Sequence, residues 1–231
     1  MLTAPQFWPE RLRSVRERID SAALRAGRDP ATVRLLAVSK QQPVESILAV
    51  AGAGQRDFGE NYVHEGIAKI DAIGDPRLTW HFIGQLQSNK TRDVASRFQW
   101  VHTVDRERIA TRLDAQRPHH APPLEVLLQV RLGDEPGKGG VLPGELPRLA
   151  GFVAGLARLR LRGLMCIPPP AEDEAAQRAP FRRLRWLLDD LNQRGHALDT
   201  LSMGMSADLE AAIAEGATIV RVGTAVFGPR D

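Results

Sequence analysis

The 231 residues carry 31 Lys and Arg against 28 Asp and Glu, a formal net charge of +3, with 43% hydrophobic and 26% charged residues. Such proportions exclude a disordered chain and allow a substantial core, while the slight, scattered excess of base leaves no footprint for nucleic acid. The one cysteine, Cys166, excludes an internal disulfide and suits a reducing, cytoplasmic setting, and no apolar run reaches the length of a membrane span or a signal core.

The spacing of Trp8, Leu12, Val15, Ile19, Ala22 and Leu24 predicts a helix over residues 5–27, which Gly27 can end. From there a unit repeats: a short apolar strand, a polar turn, an amphipathic helix. Residues 33–38 form the first strand, ending in Ser39-Lys40, with a helix near 44–51. The second strand, 56–59, runs into Glu60-Asn61-Tyr62 and a helix to about residue 73. The third, 79–83, ends in Gly84-Gln85-Leu86-Gln87, with a helix from about 89. The fourth, 100–104, is followed by Asp105 as the N-cap of a helix to 116.

The fifth strand, 124–130, ends at Arg131. After it comes a loop with Gly133, Pro136, Gly137, Gly139 and Gly140, a candidate mobile lid, and then a helix over 144–157. The sixth, 161–166, stops before three prolines. A long helix over 172–194 follows, with the acidic run Glu172-Asp173-Glu174 at its N-terminal end. The seventh strand is 200–203, its helix 206–215, and the eighth strand is 218–222.

Eight strands alternating with helices in a chain of this length predict an α/β fold, a (β/α)8 TIM barrel with an extra N-terminal helix, as one domain over residues 1–231. A doubly wound open sheet is the alternative. A barrel places its site at the C-terminal ends of the strands. Those ends carry Lys40, Asn61, Gly84, Arg131, Met165, Ser202-Met203-Gly204-Met205-Ser206 and Arg221-Val222-Gly223-Thr224.

The last two stretches, with glycine, hydroxyls and helix N-termini after strands seven and eight, suit a phosphate. Ordinary turns use the same residues. Four of the 31 cations are lysines: Lys40, Lys69, Lys90 and Lys138. In so arginine-rich a chain a lysine at a strand end is suggestive, because arginine cannot form an imine. A lysine there can equally well project into water. In a closed barrel, strand one lies beside strand eight. Lys40 and a phosphate cup then become neighbours that a phosphorylated aldehyde such as pyridoxal phosphate would bridge.

The stretches Leu36-Ala37-Val38-Ser39-Lys40, Phe58-Gly59-Glu60-Asn61-Tyr62, Trp80 to Lys90, Gly163-Leu164-Met165, Leu201 to Asp208 and Arg221 to Gly228 resemble the pyridoxal phosphate homeostasis proteins, the YggS/PROSC family. The resemblance implies a barrel similar to the alanine racemase N-terminal domain, with pyridoxal 5'-phosphate bound as a Schiff base on Lys40. It implies Ser202, Ser206, Gly223 and Thr224 around the phosphate, Arg221 facing the pyridine nitrogen, Asn61, His81 and Met165 lining the ring pocket, and Met203 as a further cofactor-binding residue. Arg131 departs from the family's pattern. The implied role is a cytoplasmic, monomeric protein that buffers and delivers cofactor to apo-enzymes within vitamin B6 homeostasis, without a catalytic residue or a metal. A weak amino-acid racemase is the alternative, and a cofactor-free Schiff-base lyase a third reading. Tyr62, the one tyrosine, is expected to be structural rather than a second base, and Lys138 to be solvated.

Overall fold

A computed structural model of the chain describes residues 4–133 and 139–229. Eight parallel strands close into a barrel in chain order: β1 (Arg34–Val38), β2 (Asp57–Glu60), β3 (Thr79–Phe82), β4 (Trp100–Val104), β5 (Leu124–Gln129), β6 (Leu159–Met165), β7 (Thr200–Ser202) and β8 (Ile219–Val222). Closure is made by β1 against β8, with Leu36 opposite Arg221 and Ala37 opposite Val222. The alternation of a strand's side chains explains why β1 reads as an unbroken apolar run. Leu36 and Val38 point inward and pack with Ile83 and Ile219, while Leu35 and Ala37 join the larger core beneath the helices.

The outer layer consists of α1 (Ala4–Arg25), α2 (Val44–Gly52), α3 (Val63–Ile73), α4 (Thr91–Arg97), α5 (Glu107–Gln116), α6 (Leu146–Ala154), α7 (Glu174–Gln193), α8 (Leu209–Ala214) and α9 (Thr224–Phe227). The extra helix α1 buries Leu12, Val15, Ile19 and Ala22. It packs on α2, α8 and α9. Arg18 reaches from it to the carbonyl of Ser206 at 3.2 Å and to Glu210 at 2.9 Å, so α1 braces the loop after β7.

Several boundaries differ from the sequence reading. Asp105 does not cap α5: the N-cap is Arg106, and the Asp105 carboxylate pairs with the Arg106 guanidinium at 2.6 Å. In the acidic run, Asp173 is the cap, accepting the Ala176 N–H at 2.8 Å. The helix expected from 206 starts at Leu209, which leaves 203–208 as loop. The four-residue α9 was not anticipated, being too short for an apolar period to show. Residues 134–138 of the glycine-rich loop, including Lys138, lie outside the described residues.

Two glycines show how differently the fold uses the residue. A Cβ on Gly84 would stand 2.0 Å from the backbone oxygen of Asn61, whereas one on Gly151, inside α6, meets nothing within 4 Å. Gly84→Ala is expected to destabilise the protein by about 1–3 kcal/mol through overpacking. Gly151→Ala should stabilise it by about 0.5–1 kcal/mol. Urea denaturation of the two variants measures both, and equal effects would contradict the packing described.

Candidate functional site

A cavity of about 280 Å³ opens at the C-terminal ends of the strands around the β1–β8 seam. Its lining comes from several elements: Lys40 and Asn61 from the turns after β1 and β2, Ser206 from the loop after β7, Arg221 from β8, and Gly223 and Thr224 at the start of α9. Val38, Ile83, Ile167 and Met205 give it apolar walls. A larger groove, about 570 Å³, lies between α1, α7 and α8. Its acidic and basic side chains neutralise one another, as in Arg178 with Glu174 at 3.6 Å. The smaller cavity has the convergent chemistry.

Lys40 is half-buried in a turn gripped from α3. Before it, Ser39 donates its hydroxyl to Glu60 Oε1 at 2.6 Å, and its carbonyl accepts from Lys69 Nζ at 2.6 Å. After it, Gln41 sits at φ 59°, in the left-handed region, and its N–H donates to Glu65 Oε1 at 2.5 Å. Left-handed backbone is strained for a residue with a Cβ and persists where surrounding bonds fix it. Lys69, itself buried, bonds Glu60 at 2.9 Å and Glu65 at 2.5 Å, joining both flanks of Lys40 into one network. Burial pushes the Glu60 carboxyl up, against the opposing pull of Lys69 and the Ser39 hydroxyl.

On the β2 side of the cavity, Asn61 Oδ1 is buried without a hydrogen-bond partner among the described residues. A buried acceptor left open in this way is unusual and fits a ligand donor. Arg221 donates from Nη1 to Ser202 Oγ at 2.8 Å and from Nη2 to the Cys166 carbonyl at 2.8 Å. Burial lowers its pKa, yet a guanidinium stays charged at any physiological pH. Burial also pushes the Cys166 thiol up to about 12, so it is inert beside the site.

At the far wall, Gly204 has φ 91°, and a Cβ on it would meet the Ala212 methyl at 2.5 Å. Glycine there lets the 203–208 loop fold tightly over α8 and bring Ser206 to the cavity. At the start of α9 the Val226 and Phe227 N–H groups bond the Gly223 carbonyl, which leaves those of Thr224 and Ala225, with the Ser206 and Thr224 hydroxyls, to suit an anion.

Of the residues the sequence nominated, Lys40, Asn61, Ser206, Arg221, Gly223 and Thr224 meet in this cavity. Four do not line it. His81 lies in the barrel interior, bonded to Asp57 and His102 at 3.0 Å each. Met165 is packed against Trp100 and Leu127 inside the barrel, and Met203 is fully buried in the outer core. The Ser202 hydroxyl is taken up between His102 and Arg221 rather than facing the cavity end where an anion would sit. His81, Met165 and Ser202 belong to strands, where one step in register exchanges cavity for core, and Met203 directly follows β7.

Sequence reasoning missed Glu60, Glu65 and Lys69, although a second lysine four residues after a glutamate in so arginine-rich a chain was a usable signal. Among the described residues no cluster of three or more His, Cys, Asp or Glu could hold a metal, and no helix is long and apolar enough to cross a membrane.

Comparison with known proteins shows the family. Residues 11–231 match the family "Alanine racemase, N-terminal domain". A relative from Pseudomonas aeruginosa, the pyridoxal phosphate homeostasis protein, is 58% identical over 96% of this chain and 95% of its own length. The structure of PipY from Synechococcus elongatus PCC7942, solved with PLP bound, superposes with a TM-score of 0.84. It is 40% identical over 95% of this chain and 99% of that one. Alanine racemase from Corynebacterium glutamicum shares the fold alone, at 16% identity and a TM-score of 0.72 over 94% of this chain and 62% of its own.

Two stability predictions follow from the buried polar groups. Lys69→Met leaves the Glu60 carboxyl buried and uncompensated and should cost about 3–5 kcal/mol. Adding Glu60→Gln should recover much of that loss in urea titrations; a double variant as unstable as the single one would argue against the pairing. Burial lowers the pKa of His81, and lowers that of His102 well below the ordinary 6.5. Below that value the unfolded chain binds protons that the native one refuses, so stability rises with pH and is lost as pH falls. The urea midpoint should therefore drop between about pH 7.5 and about pH 5.5, and drop less in His102→Asn.

Proposed function

The chain belongs to the family of pyridoxal phosphate homeostasis proteins, built on the barrel of the alanine racemase N-terminal domain. On that premise we propose that it holds pyridoxal 5'-phosphate in the β1–β8 cavity, tethered reversibly as a Schiff base on Lys40, and buffers and delivers the cofactor. One observation carries this reading: a lysine, an open buried acceptor, a guanidinium and an anion-suited wall converge on a single cavity.

When bound, pyridoxal phosphate supplies an aldehyde carbon for a lysine amine and a conjugated ring that draws electrons from an attached amino acid. The chain's own residues act as follows. The Ser39–Glu60–Lys69–Glu65 network fixes the turn that presents Lys40. Ser206, Thr224 and the N-terminal N–H groups of α9 bind the phosphate, and Asn61 accepts a hydrogen bond from the ring's substituents. Arg221, charged and donor-only, opposes a proton on the ring nitrogen and so weakens the electron sink.

Efficient racemisation would also need a second base facing Lys40. Tyr62 is 55% exposed and outside the lining, which supports a role without turnover. We further read the protein as a one-domain, cytoplasmic monomer whose recipients are apo pyridoxal phosphate-dependent enzymes. A weak amino-acid racemase is the alternative, and the shared barrel favours it by fold alone.

The purified chain should take up pyridoxal phosphate with a visible absorption band. Borohydride should fix a phosphopyridoxyl group on Lys40, readable by peptide mass, and Lys40→Ala should lose both signals. A protein that takes up no cofactor would sink the reading. Transfer to an apo-enzyme trap faster than free release would support delivery, and an equal rate would leave buffering alone. Amino-acid racemisation in the ordinary enzymatic range of about 1–10³ per second would favour the racemase.

A further inference from the structure

A chain of buried polar groups runs through the barrel interior from Arg221 to the opposite end. Arg221 Nη1 contacts Ser202 Oγ at 2.8 Å. Ser202 Oγ contacts His102 Nδ1 at 2.9 Å, His102 Nε2 contacts His81 Nδ1 at 3.0 Å, and His81 Nε2 contacts Asp57 Oδ1 at 3.0 Å. Ser202, His102 and His81 are all 0% exposed. Asp57 opens β2 at the N-terminal end of the barrel, half-buried beside Arg34, which it meets at 3.5 Å. The two imidazoles are further fixed by rings. His81 stacks on Trp100 with centroids 5.3 Å apart, and His102 lies edge-on to it at 6.0 Å.

The direction of every proton in this chain follows from its two ends. A guanidinium can donate but not accept, so the serine oxygen accepts from Arg221. From the other end the Asp57 carboxylate accepts only, so with neutral rings His102 Nδ1 is left as an acceptor and takes the serine proton. A neutral His102 therefore carries its proton on Nε2 and donates to His81 Nδ1. His81 in turn carries its proton on Nε2 and donates to the Asp57 carboxylate. Burial favours the neutral form of both rings, in keeping with this single arrangement. All four bonds point the same way, and bonds so aligned polarise one another in a low-dielectric interior. Reversing any member would set two donors or two acceptors face to face.

We infer that Asp57 is a positioning residue for Arg221, acting across the barrel through His81, His102 and Ser202. The carboxylate ends the chain, selects both histidine tautomers and orients the Ser202 lone pair that holds Nη1. The ligand-facing guanidinium is thus set in place by a charge at the other mouth of the barrel. What Arg221 faces rests on the function proposed above; the chain itself does not.

Nitrogen NMR of the histidines in the full-length, cofactor-free protein tests the chain directly. Both rings should carry their protons on Nε2. Asp57→Asn should move the ring-nitrogen shifts of His102, which does not touch residue 57. A wild-type His102 protonated on Nδ1, or His102 shifts unmoved by Asp57→Asn, would overturn the inference.

Binding of pyridoxal phosphate tests its consequence. Asp57→Asn and Ser202→Ala should each weaken binding at least about threefold and shift the bound absorption band, and the double variant should lose no more than the worse single one. Additive losses would mean separate structural effects and would overturn the positioning role. Should Asp57→Asn fail to fold, the wild-type tautomers and the Ser202→Ala band still decide. If the wild type took up no cofactor, the proposed function would fail while the tautomers still judged the chain.

Discussion

β8 meets β1 with Leu36 opposite Arg221, and the site depends on that register. Lys40 lies at one end of the chain's strand series and Arg221 at the other, more than 180 residues later in sequence. Barrel closure alone makes them neighbours. Sliding the seam by one residue would turn Leu36 and Val38 outward and swing Arg221 off the cavity floor. The inward cluster of Leu36, Val38, Ile83 and Ile219 therefore fixes the geometry of the site as well as filling the barrel.

Much of the fold was legible in the chain because a strand–turn–helix unit repeated eight times leaves a strong apolar pattern. Strand cores were found to within a residue or two, and Lys40, Arg221 and Gly223-Thr224 fell where the barrel rule puts a ligand. Where structure and sequence reading part, the reasons are physical. Asp105 has the right chemistry for a cap, but the neighbouring Arg106 takes its carboxylate. Ser202 and His81 carry polar atoms at strand ends, and nothing local says whether such a residue faces a cavity or another buried polar group. That choice is made by partners on distant strands, such as His102 for Ser202, 100 residues apart. Sequence motifs brought the right residues to notice and left open which of them face the cavity.

Two of the buried polar systems bear on the site. One, around Lys69, is local: it spans the turn after β1, β2 and the first half of α3. The other crosses the interior by way of two histidines. Each is satisfied nearly throughout, as buried polar groups must be. The exceptions, Glu60 Oε2 and Asn61 Oδ1, lie on adjacent residues at the end of β2. Asn61 also lines the cavity, so an unpartnered buried acceptor sits in a residue that a ligand there would touch.

The scarcity of lysine has a chemical consequence of its own. Any accessible neutral amine can attack an aldehyde carbon, so lysines on the surface of a protein that binds one compete for it. Here 27 of 31 cations are arginine, which keeps solubility and ion pairing without offering an amine. Of the described lysines, Lys69 is walled in by two carboxylates and a carbonyl, and Lys90 is engaged with His64 at 2.7 Å. Among the described residues, the exterior thus meets a carbonyl compound mostly with guanidinium groups, which form no imine with it.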